Sequence, residues 1–323
     1  MVDFECKNCG SSNIIRYGTY GGVQYWWCND CKRKFADNNA LPGMKTEAKQ
    51  VSSALSLYYR GVSLDEIRSH LEQQYDNKPS DSTVYDWVTR FSDEAYKKSL
   101  KYTPKVGDVW VADETALKVG GQYLWFWDLI DVKTRYLLAS HMSFRRTSQH
   151  AQSLVERASK VAGKSPKVII TDKLFAYLDG IEMAFGADTE HVRSKGFTVQ
   201  PNTNLIERFH GTLKSRTKVM RGLKKPETAL QFLDGWLVYY NFFRPHEYLK
   251  DKTPAEKAQI DFPYKNWLDV VTHSTATGIP FKTKPDVSHI GLPTRYAQKK
   301  IKRRKKTNTR AKKVMPSIQS VRI

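Results

Sequence analysis

Two short apolar runs in the middle of this chain each lead into an aspartate, and that pattern constrains the fold more than any other feature. Val109, Trp110, Val111 and Ala112 precede Asp113, and the run KVIIT precedes Asp172. Short apolar runs bounded by polar residues suit strands buried in a sheet. Open α/β sheets gather their functional side chains at the carboxyl ends of such strands. Two further β-rich runs, QYLWFWDLID and TRYLLASHMS, follow the first, broken by Gly120-Gly121 and by a polar turn near 131–134. The three runs predict an antiparallel meander. Apolar spacing then predicts a helix through 147–161, another through 174–185, a short segment at HVRS and a longer helix starting near Thr203 or Asn204. The expectation is an α/β domain over residues 104–262, a mixed sheet flanked by helices.

A third acid belongs with the two aspartates. Glu207 lies in NLIERFHGTLKSR, separated from Asp172 by 34 residues, and Lys214 follows it by seven. At about 100° per residue, Leu205, Phe209 and Leu213 form one stripe of that helix, while Glu207, His210 and Lys214 share another face. Two strand-end acids and one helix acid suit a pair of divalent cations, which stabilise the attacking and leaving oxygens of an in-line phosphoryl transfer. Magnesium favours hard oxygen ligands, usually one or two carboxylates, with waters and substrate phosphates completing the shell. Asp113, Asp172 and Glu207 are therefore the candidate catalytic residues and the ligands of two Mg2+ (or Mn2+) ions. Solvated helix charges are the competing reading of Glu207 and Lys214. Glu114 lies beside Asp113 but on the opposite side of an extended chain, which makes it a poor expected co-ligand. Asp128 and Asp131 fall in or near a turn and are expected to be solvated. His210 orients a ligand, touches phosphate or simply packs.

The four cysteines form two pairs, Cys6-x2-Cys9 and Cys28-x2-Cys31, with eighteen residues between them. Such knuckles present four thiolates to one tetrahedral zinc ion. The intervening IIRYGTYGGVQYWWC reads as strand, Gly-Gly turn, strand, so residues 1–42 are expected to be a zinc ribbon. With four protein ligands and no open position, that zinc is structural. Two disulfides are the alternative, which an oxidising compartment would favour.

Residues 45–98 read as three short helices. Val51, Leu55 and Tyr58 mark the first. Ser63 and Glu66 form a capping box for a second that carries Leu64, Ile67 and Leu71. Lys78-Pro79-Ser80 breaks the chain before a third with Val84, Trp87, Val88 and Phe91. This spacing suits a helix-turn-helix module whose third helix enters the major groove of DNA, and equally a plain trihelical bundle. Ser82, Thr83 and Tyr85 are the expected exposed contacts near the start of that helix, with Arg90 reaching phosphate.

Charge supports a polyanionic partner. The net charge is +20, and residues 299–323 contribute +11 of it, with eleven Lys/Arg and no acid. IKRRKKTNTRAKK, including Lys302, Arg303, Arg304, Lys305 and Lys306, has the composition of a disordered polycation that tracks phosphate. A nuclear-localisation signal or a solubilising tail are its alternatives. No apolar run approaches the roughly 18 residues of a membrane span, and no secretory signal is evident at the amino terminus. The expected setting is cytoplasmic, with the nucleoid, or nuclear in a eukaryotic host.

These stretches resemble a known family. WVADET, VIITD and NLIERFHGTLK are similar to the motifs of prokaryotic insertion-sequence DDE transposases, and the resemblance covers roughly residues 1–262. It implies a ribonuclease H-like catalytic domain related to the retroviral integrase core, with Asp113, Asp172 and Glu207 as metal ligands and Lys214 near DNA. It also implies an end-binding amino-terminal region, and double-stranded DNA, both transposon ends and target, as the substrate. Pairing of two ends implies a homodimer or larger assembly on DNA. YYNFFRPHEYLKDKTPAEKA resembles the segment that closes such domains; Asn241, Arg244, Pro245 and His246 in it read as structural. Residues 263–323 find no counterpart and read as a basic extension. Another ribonuclease H-like nuclease and a domesticated, non-catalytic DNA-binding protein are the competing functions.

Overall fold

The structure, a computed structural model, describes residues 5–38, 40, 41, 43–194, 203–220 and 223–274. The basic run from 299, with Lys302, Arg303, Arg304, Lys305 and Lys306, lies outside the described residues.

At the amino terminus β1 (Ile14–Tyr20), β2 (Val23–Cys28) and β3 (Lys34–Ala36) form an antiparallel sheet in that order. Gly21 and Gly22 close the first hairpin at φ 57° and 78°. Two consecutive left-handed residues suit a type I′ hairpin turn, and glycine adopts them without a Cβ penalty. The small core under this sheet is Cys6, Cys28 and Phe35, flanked by Ile14, Trp26 and Cys31.

Three helices follow, α1 (Ala48–Arg60), α2 (Leu64–Tyr75) and α3 (Asp81–Ser99). The Ser63–Glu66 capping box is present at the start of α2, and Ser80 caps α3 by accepting from the Thr83 amide. Arg68 ties the α2–α3 turn, donating to the Pro79 carbonyl and to Asp81, both at 2.8 Å. The expected stripe Val84, Trp87, Val88 and Phe91 is buried, but α3 also buries Thr89, Ser92, Ala95 and Ser99. That second buried strip packs on later helices, so the module shares one core with the rest of the chain.

The central sheet holds β4 (Val109–Val119), β5 (Gln122–Asp131), β6 (Leu137–Ser143), β7 (Val168–Thr171) and β8 (Glu190–Arg193). Its order is β6-β5-β4-β7-β8. The first three strands are antiparallel, as the meander requires, and β4, β7 and β8 are mutually parallel. This is a mixed α/β sheet. The connections are α4 (Ser148–Ala162) and α5 (Phe175–Phe185), which pack against each other. Trp127 meets them, edge-on to Tyr177 at 5.4 Å, whereas the next residue, Asp128, faces His210 of α6 (Asn204–Val219). Alternation along β5 therefore places α4 and α5 on one face and α6 on the other.

After α6 come α7 (Pro226–Val238), a π-helical turn at Tyr239–Phe243, α8 (Pro254–Lys257) and α9 (Trp267–Thr272). Asn241, fully buried, accepts from the Leu137 amide at 2.8 Å and donates to its carbonyl at 2.9 Å, closing the edge of β6. Beyond residue 262, α9 packs on α1 and α3, with Trp267 stacked on Tyr59 at 5.2 Å. One expectation changes here. On α6 the buried stripe is Ile206, Phe209, His210, Leu213, Arg216 and Thr217, with Ile206 in place of Leu205.

Candidate functional site

Asp113 does not end its strand, as the sequence suggested; β4 runs on to Val119. Its parallel pairing with β7 is what stops, at Val111. From there to the Val119–Leu223 bridge β4 has no strand partner on this edge among the described residues, and Asp172, the residue after β7, stands in the opening. Asp172 is fixed by the Leu174 amide, which donates to Oδ1 at 2.9 Å.

Into the same opening comes an acid that the sequence reading set aside. One carboxylate oxygen each from Asp113, Glu114 and Asp172 lie within 4.8 Å of one another. Neighbouring strand residues do point to opposite faces, but with β7 ended no backbone separates the two faces here, so both side chains reach one edge. Glu114 Oε1 accepts from the Arg146 guanidinium at 3.1 Å, and Arg146 in turn lies over the Trp125 ring at 4.0 Å. Burial, then the charge of Asp172, raises the Glu114 carboxyl above its ordinary value against the pull of Arg146. Burial and the charge of Asp113 raise Asp172 as well, against the stabilising Leu174 amide. Three crowded, partly desolvated carboxylates repel one another. A divalent cation relieves that repulsion, so the donor set fits a hard metal ion.

Glu207 is not in this group. It sits half-buried in the first turn of α6, and its Oε1 accepts from the Thr203 hydroxyl at 2.8 Å. His210, one turn along the same helix, does reach the site: Nδ1 is 3.4 Å from Asp113 Oδ2 and Nε2 is 3.0 Å from Asp128 Oδ2. Burial opposes its charge, but the hydrogen bonds and charges of Asp113 and Asp128 outweigh that and lift His210 to about 9. Lys214 is exposed on the same helix.

Asp128 and Asp131 were expected in solvent, and both are fully buried. Asp128 pairs with Asp113 across the β4–β5 ladder and accepts from Ser140 Oγ at 2.5 Å. Asp131 organises the β5–β6 turn, accepting from the Thr134 amide at 2.7 Å and the Gly107 amide at 2.9 Å. Internal hydrogen bonds replace water for both.

The amino-terminal cysteines converge. All four Sγ atoms lie within 4.8 Å of one another, with Cys6 and Cys31 at 3.7 Å and Cys9 and Cys28 at 3.6 Å. A zinc–sulfur bond of about 2.3 Å gives a tetrahedral edge of about 3.8 Å, so the spacing fits one zinc ion. None of the four is in a disulfide. Backbone amides of Cys31 and Asp30 hold the Cys28 thiol down to about 6, while burial and the neighbouring sulfurs push Cys31 up to about 12 and Cys9 up as well, so the four cannot all ionise without a cation among them.

The expected DNA contacts on α3 are less available than the sequence suggested. Tyr85 is half-buried, donating to Gln231 of α7 at 3.4 Å, and is no longer a free groove contact. Ser82 and Thr83 hydroxyls lie 2.8 and 2.9 Å from the Ser80 cap. Arg90 pairs with Asp86 at 3.2 Å and its side chain is 12% exposed. Among the described residues no helix is long and apolar enough to cross a membrane.

Comparison with known proteins fits this geometry. Residues 107–246 match the family model of the DDE domain. The chain is 25% identical over 193 residues to an uncharacterized protein, MJ0017, of Methanocaldococcus jannaschii, covering 58% of this chain and 83% of that one. It is 26% identical over 161 residues to the transposase for insertion sequence-like element IS431mec of Staphylococcus aureus, covering 47% of this chain and 67% of that one. Among solved structures, the HTLV-2 integrase catalytic core domain in complex with magnesium shares 18% identity at a TM-score of 0.38, covering 48% of this chain and 97% of that one. Acids from adjacent parallel strands thus meet at one edge of the mixed sheet, within the residues 107–246 that match the DDE domain.

Proposed function

We propose that this chain is a DNA transposase that cleaves phosphodiesters at transposon ends and joins the freed 3′-hydroxyls to target DNA. The observation that carries the reading is the meeting of Asp113 and Asp172 within 4.8 Å beside the end of β7. Asp113, Asp172 and Glu207 would hold two Mg2+ (or Mn2+) ions. Bound there, the cations supply charge neutralisation at the attacking and leaving oxygens of an in-line displacement. The chain's own part is positional. His210 fixes Asp113 from one side, the Leu174 amide fixes Asp172, and α6 carries Glu207 one turn before His210, from where it would complete the set.

In the first reaction water attacks the end phosphodiester and a 3′-hydroxyl leaves; in the second that hydroxyl attacks a target phosphodiester. Neither needs a protein nucleophile. Lys214, exposed beyond His210, lies on the side from which DNA approaches, and the overall charge of +20 supports phosphate contact. Ser82 and Thr83 retain the role of contacts at the start of α3, and the assembly on paired ends is a dimer or larger.

A second assignment of the third acid has a specific observation in its favour. Glu114 already lies with the aspartates, while Glu207 is bonded to Thr203. Glu207 remains the proposed ligand because the Arg146 guanidinium already neutralises Glu114, whose side chain is 3% exposed. Strand-transfer assays on the element's own ends decide between them. Glu207→Gln should bind DNA normally yet lose joining by at least about a thousandfold, the scale of one strong transition-state interaction. Glu114→Gln should retain measurable joining. The reverse pattern would move the role to Glu114, and robust joining by both variants would refute a three-carboxylate site.

A further inference from the structure

A cavity of about 460 Å³ lies where α1 meets α6 and α7, and its polar lining is cationic. Arg60, Arg216 and Arg244 line it together with Ser215 and Trp236, and among the described residues no acid does. Arg216 is 3% exposed, yet among the described residues Nε and both terminal nitrogens have no hydrogen-bond partner. The Trp236 indole N–H, on a residue 1% exposed, likewise has none among the described residues. The Arg216 guanidinium carbon sits 4.2 Å from the Tyr58 ring centroid and 6.0 Å from that of Phe232. Ring faces attract the cation, but they leave its N–H groups unsatisfied.

Buried charges in proteins are paired, because removing an ion from water without a counter-charge is costly. Burial lowers the Arg216 guanidinium from its ordinary value, and only the nearby tyrosines oppose that. A planar fork of donors beside an indole N–H matches a tetrahedral oxyanion, since guanidinium binds phosphate through paired N–H···O bonds. Arg60, exposed, and Arg244, half-buried, stand at the same cavity and add charge for capture.

We propose that this cavity binds one phosphate group, with Arg216 and Trp236 donating to its oxygens inside and Arg60 and Arg244 closing on it from the mouth. The site shares no residue with the carboxylate cluster. Because Arg60 belongs to α1 and Arg216 to α6, a bound phosphate bridges the helical module and the DDE domain. A DNA backbone and a free oxyanion offer the same chemistry. Binding of the free ion does not depend on the transposase reading; only the DNA source rests on it.

The test uses the full chain with zinc and without magnesium. Inorganic phosphate is titrated at constant ionic strength, with chloride as the balancing anion, and the thermal midpoint is read. Wild type should show a saturable rise of about 5 °C at a hundredfold excess over the dissociation constant. Arg216→Gln and Trp236→Phe should each cut that rise by more than half. Arg60→Ala, at an exposed position, should weaken phosphate binding several-fold and keeps the test valid where a core variant fails to fold. Duplex binding is then measured against salt. If the DNA backbone supplies the phosphate, Arg216→Gln reduces the slope of log K against log salt by about 0.9, and inorganic phosphate competes with duplex. Protection by phosphate with an unchanged slope assigns the site to a free oxyanion. No saturable protection and an unchanged slope overturn the proposal, as does equal protection of wild type and all three variants. Glu207→Gln should keep phosphate protection, so failure of the catalytic reading is seen separately.

Discussion

His210 stands between two carboxylates, and its removal should expose what each acid depends on. Asp128 is fully buried, and apart from Ser140 its hydrogen-bond partner is His210. Truncating His210 leaves that carboxylate without its counter-charge, a loss of about 3–5 kcal/mol for a buried pair. Asp128→Asn removes the charge that needs pairing, so the double variant His210→Ala/Asp128→Asn should be more stable than the sum of the single changes predicts by at least about 1 kcal/mol. Chemical denaturation of all four proteins measures the coupling, and strictly additive losses would mean the two side chains do not act as a pair. The contact itself was readable in principle. A two-residue turn at Gly120-Gly121 pairs Val119 with Gln122, and counting back from it pairs Asp113 with Asp128. The expectation of a solvated Asp128 near a turn overlooks this pairing, although the run QYLWFWDLID already carries Asp128 within the strand. Glu114 was missed for a different reason. Strand alternation does separate it from Asp113, and only the early end of β7 lets the two faces communicate.

At the scale of elements, the junction of α1, α3 and α7 is set by Gly235. A Cβ there would overlap Tyr59 Oη and meet Tyr59 Cζ at 2.7 Å and Ser92 Cβ at 2.9 Å. Tyr59 Oη also donates to Ser92 Oγ at 2.8 Å, so the hydroxyl is held in place beside the glycine. In an exposed helix Gly→Ala stabilises by about 1 kcal/mol. Here overpacking of roughly 1–3 kcal/mol or more opposes that gain, and contacts this short decide the sign. Gly235→Ala should lower stability by about 2 kcal/mol, and Tyr59→Phe in the same background should recover part of the loss. A denaturation midpoint unchanged by Gly235→Ala would show that these helices do not close on one another as described. The helices themselves were legible from apolar spacing and capping residues. Their joint packing was not, because a stripe states that a face is buried without naming the element that covers it. On α3 the second buried strip runs through Thr89, Ser92, Ala95 and Ser99, small residues that carry little hydropathy signal. Tyr85 was misread for the same reason, since its partner Gln231 lies 146 residues away.

Across the whole molecule the described residues divide into two apolar clusters of very different size. The larger runs without a break through the helical module, the central sheet and α9, whereas the ribbon rests on buried Cys6, Cys28 and Phe35 with partly buried Ile14, Trp26 and Cys31 beside them. Strand β1 is exposed almost throughout, so sheet packing adds little to that small core. A module of this size cannot bury enough surface to hold itself together, and metal binding then supplies the folding free energy. This makes the response to chelation separable. Removing zinc should expose residues 5–38 to protease while the main unfolding transition, carried by the larger cluster, stays within about 2 °C of its starting temperature. Cys28→Ser should reproduce the effect without chelator, since one lost thiolate opens the tetrahedron. Limited proteolysis with mass analysis, alongside calorimetry, reads both halves of the expectation. If chelation instead lowers the main transition by ten degrees or more, the ribbon braces the catalytic unit, and the division into two independent cores is wrong. A cleavage pattern unaffected by either treatment would mean that the ribbon stands without its metal, and the four converging sulfurs would need another explanation.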